Sequence, residues 1–581
     1  MIVVHVTHEA VEKVGGIGAV IAGLVTSEAY GSAVSRTILM GPLLATDKPV
    51  NRRLGDNGHV IYSSLDAIQT PPWRDKFRPI ESTYDVGIIY GKRMVADPCG
   101  GKLAEVEVLL VDVFHSNKAR LNLFKAEIYK KFGVPSLPFE KIWEYEQYVR
   151  LAEPGFEALK VIGCNGGDKQ VLMLAHEYMG MPTALKAILA GSRNTRTVFY
   201  AHEVASVRPI VEDRPGHNTM FYNVLKLATE QGKTVEDVFP EVHANFKHPL
   251  VKAARYCDHV FAVGDRIDSE LRFLDPHFRT VDIDLVYNGI PALPLSMPEK
   301  KLSRAKMRQY ATNLFGREPN WIFTHICRPV LSKAIWRDLR VMHELDGMLA
   351  SRGETAVYFM LGTLAGQRRP QDVHHMERVY GWPVVHEKGY PDLCGGEQDL
   401  GVMCDHFNRE HRGIRTVFVN QWDWNSALCG ERMPPDMVFA DNRRGTDLEF
   451  GLSIYEPFGI SQFEPLCFGA ICVPSNVCGC MGFAHAAMAD HPCPNVIEGD
   501  FLKIGPSSIE QLLPLTIDAR SRVEGIESLR LAELIIDRLP RNDGEVEALM
   551  NSGFKLAHKM SWDHVVKEYF LPSLSRVTAQ T

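Results

Sequence analysis

Two cations follow a short apolar run in the second half of the chain. Residues 321–326 predict a buried strand, and Arg328 and Lys333 come soon after it. Ligands of parallel α/β sheets bind beyond the carboxyl ends of the strands. Arginine presents a planar fork of donors to phosphate oxygens, and lysine presents a compact charge. The pair therefore predicts a diphosphate-binding site; the alternative is two solvated surface cations.

A pair of glutamates brackets a Pro-Phe-Gly turn further along the chain. Seven residues separate Glu456 from Glu464, and Phe458 and Gly459 lie between them. Gly459 predicts a tight turn before a helix, with Glu456 at its entry and Glu464 about one and a half turns along it. One carboxylate can then accept hydrogen bonds from sugar hydroxyls and the other from ribose hydroxyls, while the backbone N–H groups between them face phosphates. The alternative is a pair of solvated glutamates.

A glycine-rich turn follows the first apolar run, residues 2–6. Lys13, Gly15 and Gly16 predict a place where backbone N–H groups approach a phosphate closely and the lysine adds a point charge. A turn that only packs a helix on a sheet fits the same residues equally well.

A histidine and a glutamate come at the ends of two further predicted strands. His202 follows residues 197–200, and Glu177 follows residues 171–174. Side chains in these positions face the ligand side of a sheet, where His202 can hydrogen-bond hydroxyl groups or a developing charge. A loop histidine without such a role is the alternative.

Short apolar runs alternate with helical patterns along almost the whole chain, which indicates an α/β fold with parallel sheets. The predicted strands are residues 2–6, 108–111, 171–174, 197–200, 259–263 and 284–287, then 321–326, 356–361, 416–419, 437–440 and 471–474. The proline-rich residues 291–298 separate the two series and predict a linker. Two such halves predict two Rossmann-like domains that face a cleft.

The composition argues against several classes of protein. A chain of 581 residues with 45% hydrophobic and 23% charged residues is typical of a soluble globular protein. Its net charge of -7 gives no general attraction to nucleic acid or to anionic membranes. No apolar run predicts a membrane span, and residues 1–7 predict a strand and not a signal peptide. The 12 cysteines are scattered, which predicts reduced thiols in a cytoplasmic protein.

Two patterns with metal-binding chemistry are weaker. Asp282-Ile283-Asp284 matches an Asp-x-Asp pattern, but it lies at the start of a strand, away from the expected ligand end. Six further residues offer zinc-binding atoms, but their spacing matches no common finger. They are His374, His375, His386, Cys394, Cys404 and His406. We expect no metal and no cofactor.

In this order the motifs resemble those of the glycogen and starch synthases and, more broadly, of retaining GT-B glycosyltransferases. The resemblance rests on Lys13-Val14-Gly15-Gly16, residues 174–180, 197–205, 250–263 and 287–290, the Arg328-x4-Lys333 spacing, residues 453–466 and Ser561-Trp562-Asp563. It implies a GT-B fold with an N-terminal acceptor domain at 1–297 and a nucleotide-sugar-binding domain at 298–555. It also implies a C-terminal helix at 556–581 that crosses back to pack on the first domain.

The resemblance also implies an activity and a role for each candidate residue. The expected reaction transfers glucose from ADP-glucose or UDP-glucose to the non-reducing end of an α-1,4-glucan, with retention and without a metal. His202, Arg328, Lys333 and Glu456 are the expected catalytic residues, and Glu177 and His202 lie on the acceptor side. The expected donor-binding residues are Lys13, Gly15, Gly16, Arg328, Lys333, Glu456, Phe458, Gly459 and Glu464. No nucleic-acid partner is expected, and a homo-oligomer is left open.

Several positions depart from the synthase pattern. Ala19 stands where an aspartate is usual, Phe458 replaces a cysteine, and residues 477–480 replace a Thr-Gly-Gly turn. The stretch 334–455 is longer than usual and contains Trp422 and Trp424, which either stack sugars or pack in a core. Three alternatives therefore stay open: a small sugar acceptor, a lipid-linked acceptor, and a carbohydrate-binding protein without activity.

Overall fold

The structure is a computed structural model that describes residues 1–12, 15–97, 101–164, 169–192, 194–505 and 507–579. The chain divides into two compact units. The first contains Met1–Pro209, Ala228–Gly289 and the segment that begins at Trp562. The second contains Ile210–Leu227 and Ile290–Ser561.

The first unit is built on a sheet that has nine strands among its described residues. They are β1 (Ile2–Val6), β2 (Arg36–Pro42), β3 (Gly58–Ser63), β4 (Gly87–Ala96), β5 (Leu103–Asp112), β6 (Val171–His176), β7 (Thr195–Ala201), β8 (His259–Ala262) and β9 (Ile283–Leu285). Their order is β3-β4-β5-β2-β1-β6-β7-β8-β9. In this spatial order, β3 pairs with β4 and β4 pairs with β5 in antiparallel fashion. All further neighbours, from β5 and β2 to β8 and β9, pair in parallel. The carboxyl ends of β1, β6 and β7 therefore meet at one edge.

The second unit is built on a fully parallel sheet with the strand order of a Rossmann half. Its strands are β10 (Trp321–Ile326), β11 (Ala356–Leu361), β12 (Ile414–Val419), β13 (Leu448–Gly451) and β14 (Ile471–Pro474). They follow the order β12-β11-β10-β13-β14, so the direction of winding reverses beside β10. Ligands of such sheets bind at this reversal point.

The helices connect these strands in both units. In chain order they are α1 (Ile17–Val25), α2 (Glu28–Ala33), α3 (Trp73–Tyr84), α4 (Lys118–Phe132), α5 (Trp143–Val161), α6 (Glu177–Ala190), α7 (Val207–Asp213), α8 (His217–Glu230), α9 (Val235–Val238), α10 (Lys247–Lys252), α11 (Asp265–Leu274), α12 (Met297–Phe315), α13 (Ile335–Ser351), α14 (Pro370–Val379), α15 (Glu397–Glu410), α16 (Ser426–Cys429), α17 (Phe439–Gly445), α18 (Cys480–Ala487), α19 (Ile509–Leu512), α20 (Ile517–Arg538), α21 (Asp543–Lys559), α22 (Trp562–Val565) and α23 (Leu571–Ala579). A π-helical turn, Val566–Phe570, joins the last two.

Neighbouring residues of the second sheet enter two different cores, which explains its uninterrupted apolar runs. Phe323 packs with Tyr358 on one face, while Ile322 packs with Phe359 on the other. Strands buried on both faces need apolar side chains at every position. None of the described helices has the length and apolarity needed to cross a membrane.

The predicted α/β class with two Rossmann-like domains is confirmed, but not every predicted strand is. Residues 437–440 do not form a strand, because α17 begins at Phe439 and the strand comes later, at β13. The Asp441 carboxylate accepts a hydrogen bond from the Val438 backbone at 3.0 Å, which caps a helix at this place. The strands β2, β3 and β4 have no counterpart among the predicted ones.

The predicted linker contains the start of a helix. Ser296 accepts a hydrogen bond from the Glu299 backbone at 3.4 Å, and the Glu299 carboxylate accepts one from the Ser296 backbone at 2.8 Å. This reciprocal cap starts α12 at Met297, so Pro298 lies in the first turn of the helix.

Candidate functional site

The carboxyl end of β10 carries the two predicted phosphate-binding cations. Arg328 is exposed just beyond the strand, and Lys333 ends the 3₁₀ turn Leu331–Lys333. Lys333 forms an ion pair with Glu456, and both side chains are largely buried, at 17% and 12% exposed. The structure therefore brings together one predicted cation and one predicted carboxylate that lie far apart in sequence.

A backbone carbonyl holds the loops of Lys333 and Glu456 side by side. The Ser332 carbonyl accepts hydrogen bonds from the backbone of Ile454 at 2.8 Å and of Tyr455 at 3.3 Å. Because these bonds flank both charged residues, the ion pair belongs to an ordered junction between two loops and not to a solvated surface.

The turn after Glu456 requires glycine at two positions. Gly459 has φ +93°, and a Cβ there would lie 2.5 Å from the Gln462 side chain. A Cβ at Gly479 would lie only 1.8 Å from the Pro457 carbonyl oxygen. The Gly479 backbone donates to the Glu456 carbonyl at 3.0 Å, and the Cys480 backbone donates to the Phe458 carbonyl at 2.8 Å. Residues 477–480 thus support the glutamate loop directly.

Glu464 does not lie on an α-helix that begins at Gly459, which differs from the sequence expectation. Two separate 3₁₀ turns follow, Ile460–Gln462 and Glu464–Phe468, and Glu464 begins the second. Its carboxylate lies 3.4 Å from Nε of the buried Arg443. Arg443 also pairs with Glu449 at 3.1 Å. Burial lowers the pKa of Arg443, but Glu449 and Glu464 outweigh it and raise the pKa, so the guanidinium stays charged.

A second buried guanidinium anchors the helix after Lys333. Arg337 on α13 is fully buried and donates to Glu524 at 2.9 Å and to Asn218 at 2.7 Å. Burial lowers the pKa of Arg337 to about 10, against the attraction of Glu524. The pair fixes the start of α13 one helical turn from Lys333, so we assign it to positioning and not to ligand contact.

In the first unit a glutamate organises the glycine-rich turn. The buried Glu9 carboxylate accepts a hydrogen bond from the Gly18 backbone at 2.9 Å, near the start of α1. A Cβ at Gly15 would lie 3.1 Å from that carboxylate, while Gly16 is the residue before α1 and has open space around it. Lys13 lies outside the described residues. In the structure, the carboxylate of Glu9 is therefore the anion at the start of α1.

Three histidines form a hydrogen-bonded row at the edge where β1, β6 and β7 end. His5 Nδ1 lies 2.9 Å from His176 Nε2, and His176 Nδ1 lies 2.7 Å from His202 Nε2. The row continues from His5 Nε2 to the Tyr30 hydroxyl at 3.2 Å and from there to Thr37 at 3.0 Å. The row uses Nε2 of His202, which leaves its Nδ1 outside the row.

Burial makes these three rings neutral. It lowers the pKa of His5 and of His202 to about 3. It lowers the pKa of His176 well below the ordinary value, with smaller contributions from His202, His5 and His8. Each neutral ring carries one N–H, so the tautomer of one ring sets that of the next. His202 is thereby oriented as a neutral hydrogen-bonding group.

Glu177 lies beside this row and contacts backbone. It is buried, has φ +58°, and its carboxylate accepts a hydrogen bond from the Glu203 backbone. Burial, followed by the nearby Glu203 carboxylate, raises the pKa of Glu177 well above its usual range. A positive φ at a non-glycine residue is strained and persists where surrounding contacts hold it. Glu177 therefore shapes the loop that carries His202.

The weaker sequence candidates have structural partners. Trp424 is fully buried against Tyr310 and Phe359, whereas Trp422 is 57% exposed, so the two indoles do not share one surface. Asp284 of the Asp-x-Asp pattern pairs with Arg576 at 2.7 Å.

Sequence reasoning missed four residues that organise these places: Glu9, His176, Arg337 and Arg443. Each is a buried polar or charged side chain. His176 could have been found from its position, because it ends β6 in the same way that His202 follows β7. The other three residues have partners that are distant in sequence or lie in an irregular turn. Their roles depend on contacts that no local pattern encodes.

Comparison with known proteins gives a likeness in structure alone. The sequence matches no protein-family model and no curated protein. The catalytic domain of starch synthase IV from Arabidopsis thaliana, bound to ADP and acarbose, has a TM-score of 0.54 and 13% identity. That match covers 100% of this chain and 99% of the other.

A second similar structure is described as "Trehalose-6-phosphate from E. coli bound with UDP-2-fluoro glucose". It has a TM-score of 0.50 and 11% identity, and 100% of each chain is covered. At such low identities a likeness shows the fold and not the substrate. Together with the two largely parallel sheets, it shows that this chain has the GT-B fold, with two Rossmann-like domains, found in glycosyltransferases.

Proposed function

We propose that this protein is a retaining, metal-independent glycosyltransferase that moves glucose from ADP-glucose or UDP-glucose to the non-reducing end of an α-1,4-glucan. The observation that carries the proposal is the Lys333–Glu456 pair at the reversal point of the second sheet, where the exposed Arg328 precedes Lys333 in the loop after β10. A cation and a carboxylate together match a donor that has both a diphosphate and a hydroxyl-rich sugar.

The ion pair supports a division of roles when the donor binds. Arg328 and Lys333 take the diphosphate oxygens and stabilise the charge that develops as this group leaves. Glu456 then accepts hydrogen bonds from the sugar hydroxyls in place of Lys333. Glu464, held by Arg443 at 3.4 Å, accepts hydrogen bonds from the ribose hydroxyls.

The reaction needs no nucleophile from the protein. The bond between the anomeric carbon and the diphosphate oxygen breaks, and a bond to the acceptor hydroxyl oxygen forms on the same face. The hydroxyl proton passes to the departing diphosphate. His202 and Glu177 are assigned to the acceptor side, with the neutral His202 ring offering a hydrogen bond to the reacting sugar.

A panel of nucleotide-hexoses tests the proposal. We expect ADP or UDP release from the matching glucose donor with glycogen as acceptor, and an α-linked product by NMR. Maltose, free glucose and glucose 6-phosphate serve as small-acceptor arms, and a lipid-linked sugar serves as another. Release with small acceptors alone would reject the glucan acceptor, and no release with any donor would reject the enzyme in favour of a carbohydrate-binding protein.

A further inference from the structure

A carboxylate and two imidazoles converge in the first unit, outside the residues assigned above. Glu236 lies on α9, His243 on the 3₁₀ turn Pro240–Ala244, and His248 on α10. One potential ligand atom from each lies within 4.8 Å of the others. Among the described residues no other group of three or more histidines, cysteines and acidic residues converges in this way.

The His248 ring is oriented as a metal ligand is usually oriented. Its Nδ1 lies 2.9 Å from the Ser206 hydroxyl, so its Nε2 faces the Glu236 carboxylate, also at 2.9 Å. Metal-binding histidines commonly hold their second nitrogen in such a hydrogen bond, which fixes the ring direction.

His243 completes the group from the solvent side. Its ring is exposed and stands perpendicular to that of His248, at 89° with 5.7 Å between the centroids. The third ligand is therefore open to solvent, which leaves a path for an ion to enter.

We propose that Glu236, His243 and His248 bind a divalent transition metal, with zinc as the best match. Two imidazole nitrogens and one carboxylate oxygen suit zinc, and water would take the fourth position of a tetrahedron. These three residues belong to the first unit, whereas Lys333 and Glu456 belong to the second, and the metal proposal does not depend on the proposed glycosyl transfer.

A lysine competes with the metal for the carboxylate. Lys252 Nζ lies 2.6 Å from the Glu236 oxygen that also meets His248, and 3.8 Å from Asp275. Lys252 thus neutralises Glu236 when no metal is bound, and Asp275 offers it another partner when a metal binds. Removing this ammonium group takes away a repulsion between like charges, so it should strengthen metal binding.

The position of the group suggests what the metal does. The Ser206 hydroxyl and the Ala205 carbonyl belong to the loop that follows β7, and the latter accepts from Asn245 at 3.2 Å. His202 lies on the same loop. A metal would join α9, the 3₁₀ turn and α10 behind this loop and so stabilise it.

Equilibrium dialysis of the full chain against Zn(II), followed by elemental analysis, tests the proposal. We expect one saturable zinc ion per chain, a rise in Tm with zinc, and the visible absorption of tetrahedral Co(II) when cobalt replaces it. His243→Ala should weaken binding by about tenfold or more, as loss of a ligand should. His243 is exposed, so the variant should fold normally.

Two further variants sharpen the result. Lys252→Gln should tighten binding by about tenfold, because a like charge at close range is removed. His59→Ala, an exposed histidine on β3, serves as the matched control and should leave binding unchanged. Equal binding in wild type and His243→Ala, or no saturable zinc in the wild type, would overturn the proposal.

Discussion

At the scale of single residues, the contacts of each candidate side chain decide what chemistry it can perform. Lys333 and Glu456 pair with each other in the second unit, so neither is an isolated surface charge. His202 is the partly buried end of a row of three rings, and the removal of water around it lowers its pKa to about 3. The chemistry proposed for these residues is therefore testable one side chain at a time.

Lys333→Gln and Arg328→Ala should each reduce kcat by about 10² or more, the scale of losing one preorganised charge donor. The reason is the loss of stabilisation of the departing diphosphate. Steady-state nucleotide release measures the effect, and Lys388→Gln, an exposed lysine of the same unit, is the control. Wild-type kcat in both test variants would remove these two residues from the phosphate site.

Replacing Trp424 should affect stability, whereas replacing Trp422 should affect acceptor binding. Trp424→Ala should lower the free energy of unfolding by about 3–5 kcal/mol, because it empties a core position. Trp422→Ala should leave stability nearly unchanged, and it should raise the KM for glycogen relative to maltose if the exposed indole stacks a sugar. Urea denaturation and acceptor kinetics measure the two effects. An unchanged KM ratio in Trp422→Ala would reject the stacking role.

At the scale of elements, the glutamate loop depends on its neighbour turn. The backbone N–H groups of Gly479 and Cys480 donate to the carbonyls of Glu456 and Phe458, and glycine at 479 permits this contact. A loop held in this way places Glu456 by backbone packing, which a change in the supporting turn should disturb.

Gly479→Ala should lower kcat/KM by about 10² or more, since its Cβ would meet the Pro457 carbonyl at 1.8 Å and displace the Glu456 loop. The matched control is Gly525→Ala, at an exposed position within α20 where no atom lies near the new Cβ. That control should be neutral or stabilise the protein by about 0.5–1 kcal/mol. Equal activity of the two variants would show that the turn does not position the loop.

At the scale of the whole molecule, buried ionisable groups couple stability to pH. His5 and His202 have pKa values of about 3 in the folded state and about 6.5 when unfolded. Between these values the unfolded chain binds more protons, so each histidine makes the folded state less stable as the pH falls. Glu177, whose pKa is raised, contributes a slope of the opposite sign above its ordinary pKa.

The variant His5→Gln isolates one such contribution. Relative to wild type, it should reduce the dependence of the free energy of unfolding on pH by about 1.4 kcal/mol per pH unit between roughly pH 6 and pH 4. Urea denaturation at several pH values measures the slope. His59→Gln, exposed on β3, should retain the wild-type slope. The same slope in all three proteins would contradict the neutral state of the buried row.

The sequence by itself determined the fold class and many of the strands. Alternating apolar runs and helical patterns are local signals, and most of the buried strands of both sheets lie where these signals predict them. The strand predicted at 437–440 was wrong because the Asp441 carboxylate caps a helix there, which competes with strand pairing. The edge strand β3 was missed because most of its residues are only partly buried and it lacks a long apolar run.

Only the tertiary structure decided which side chains meet. The sequence pointed to Lys333 and Glu456 as separate motifs, but their pairing depends on neighbouring strands β10 and β13. The histidine row joins residues from β1, β6 and the loop after β7, and the Glu236–His243–His248 group depends on how three short helical turns fold together. Such contacts are set by strand order and packing, because a buried charge is stable only beside a partner that the fold brings to it.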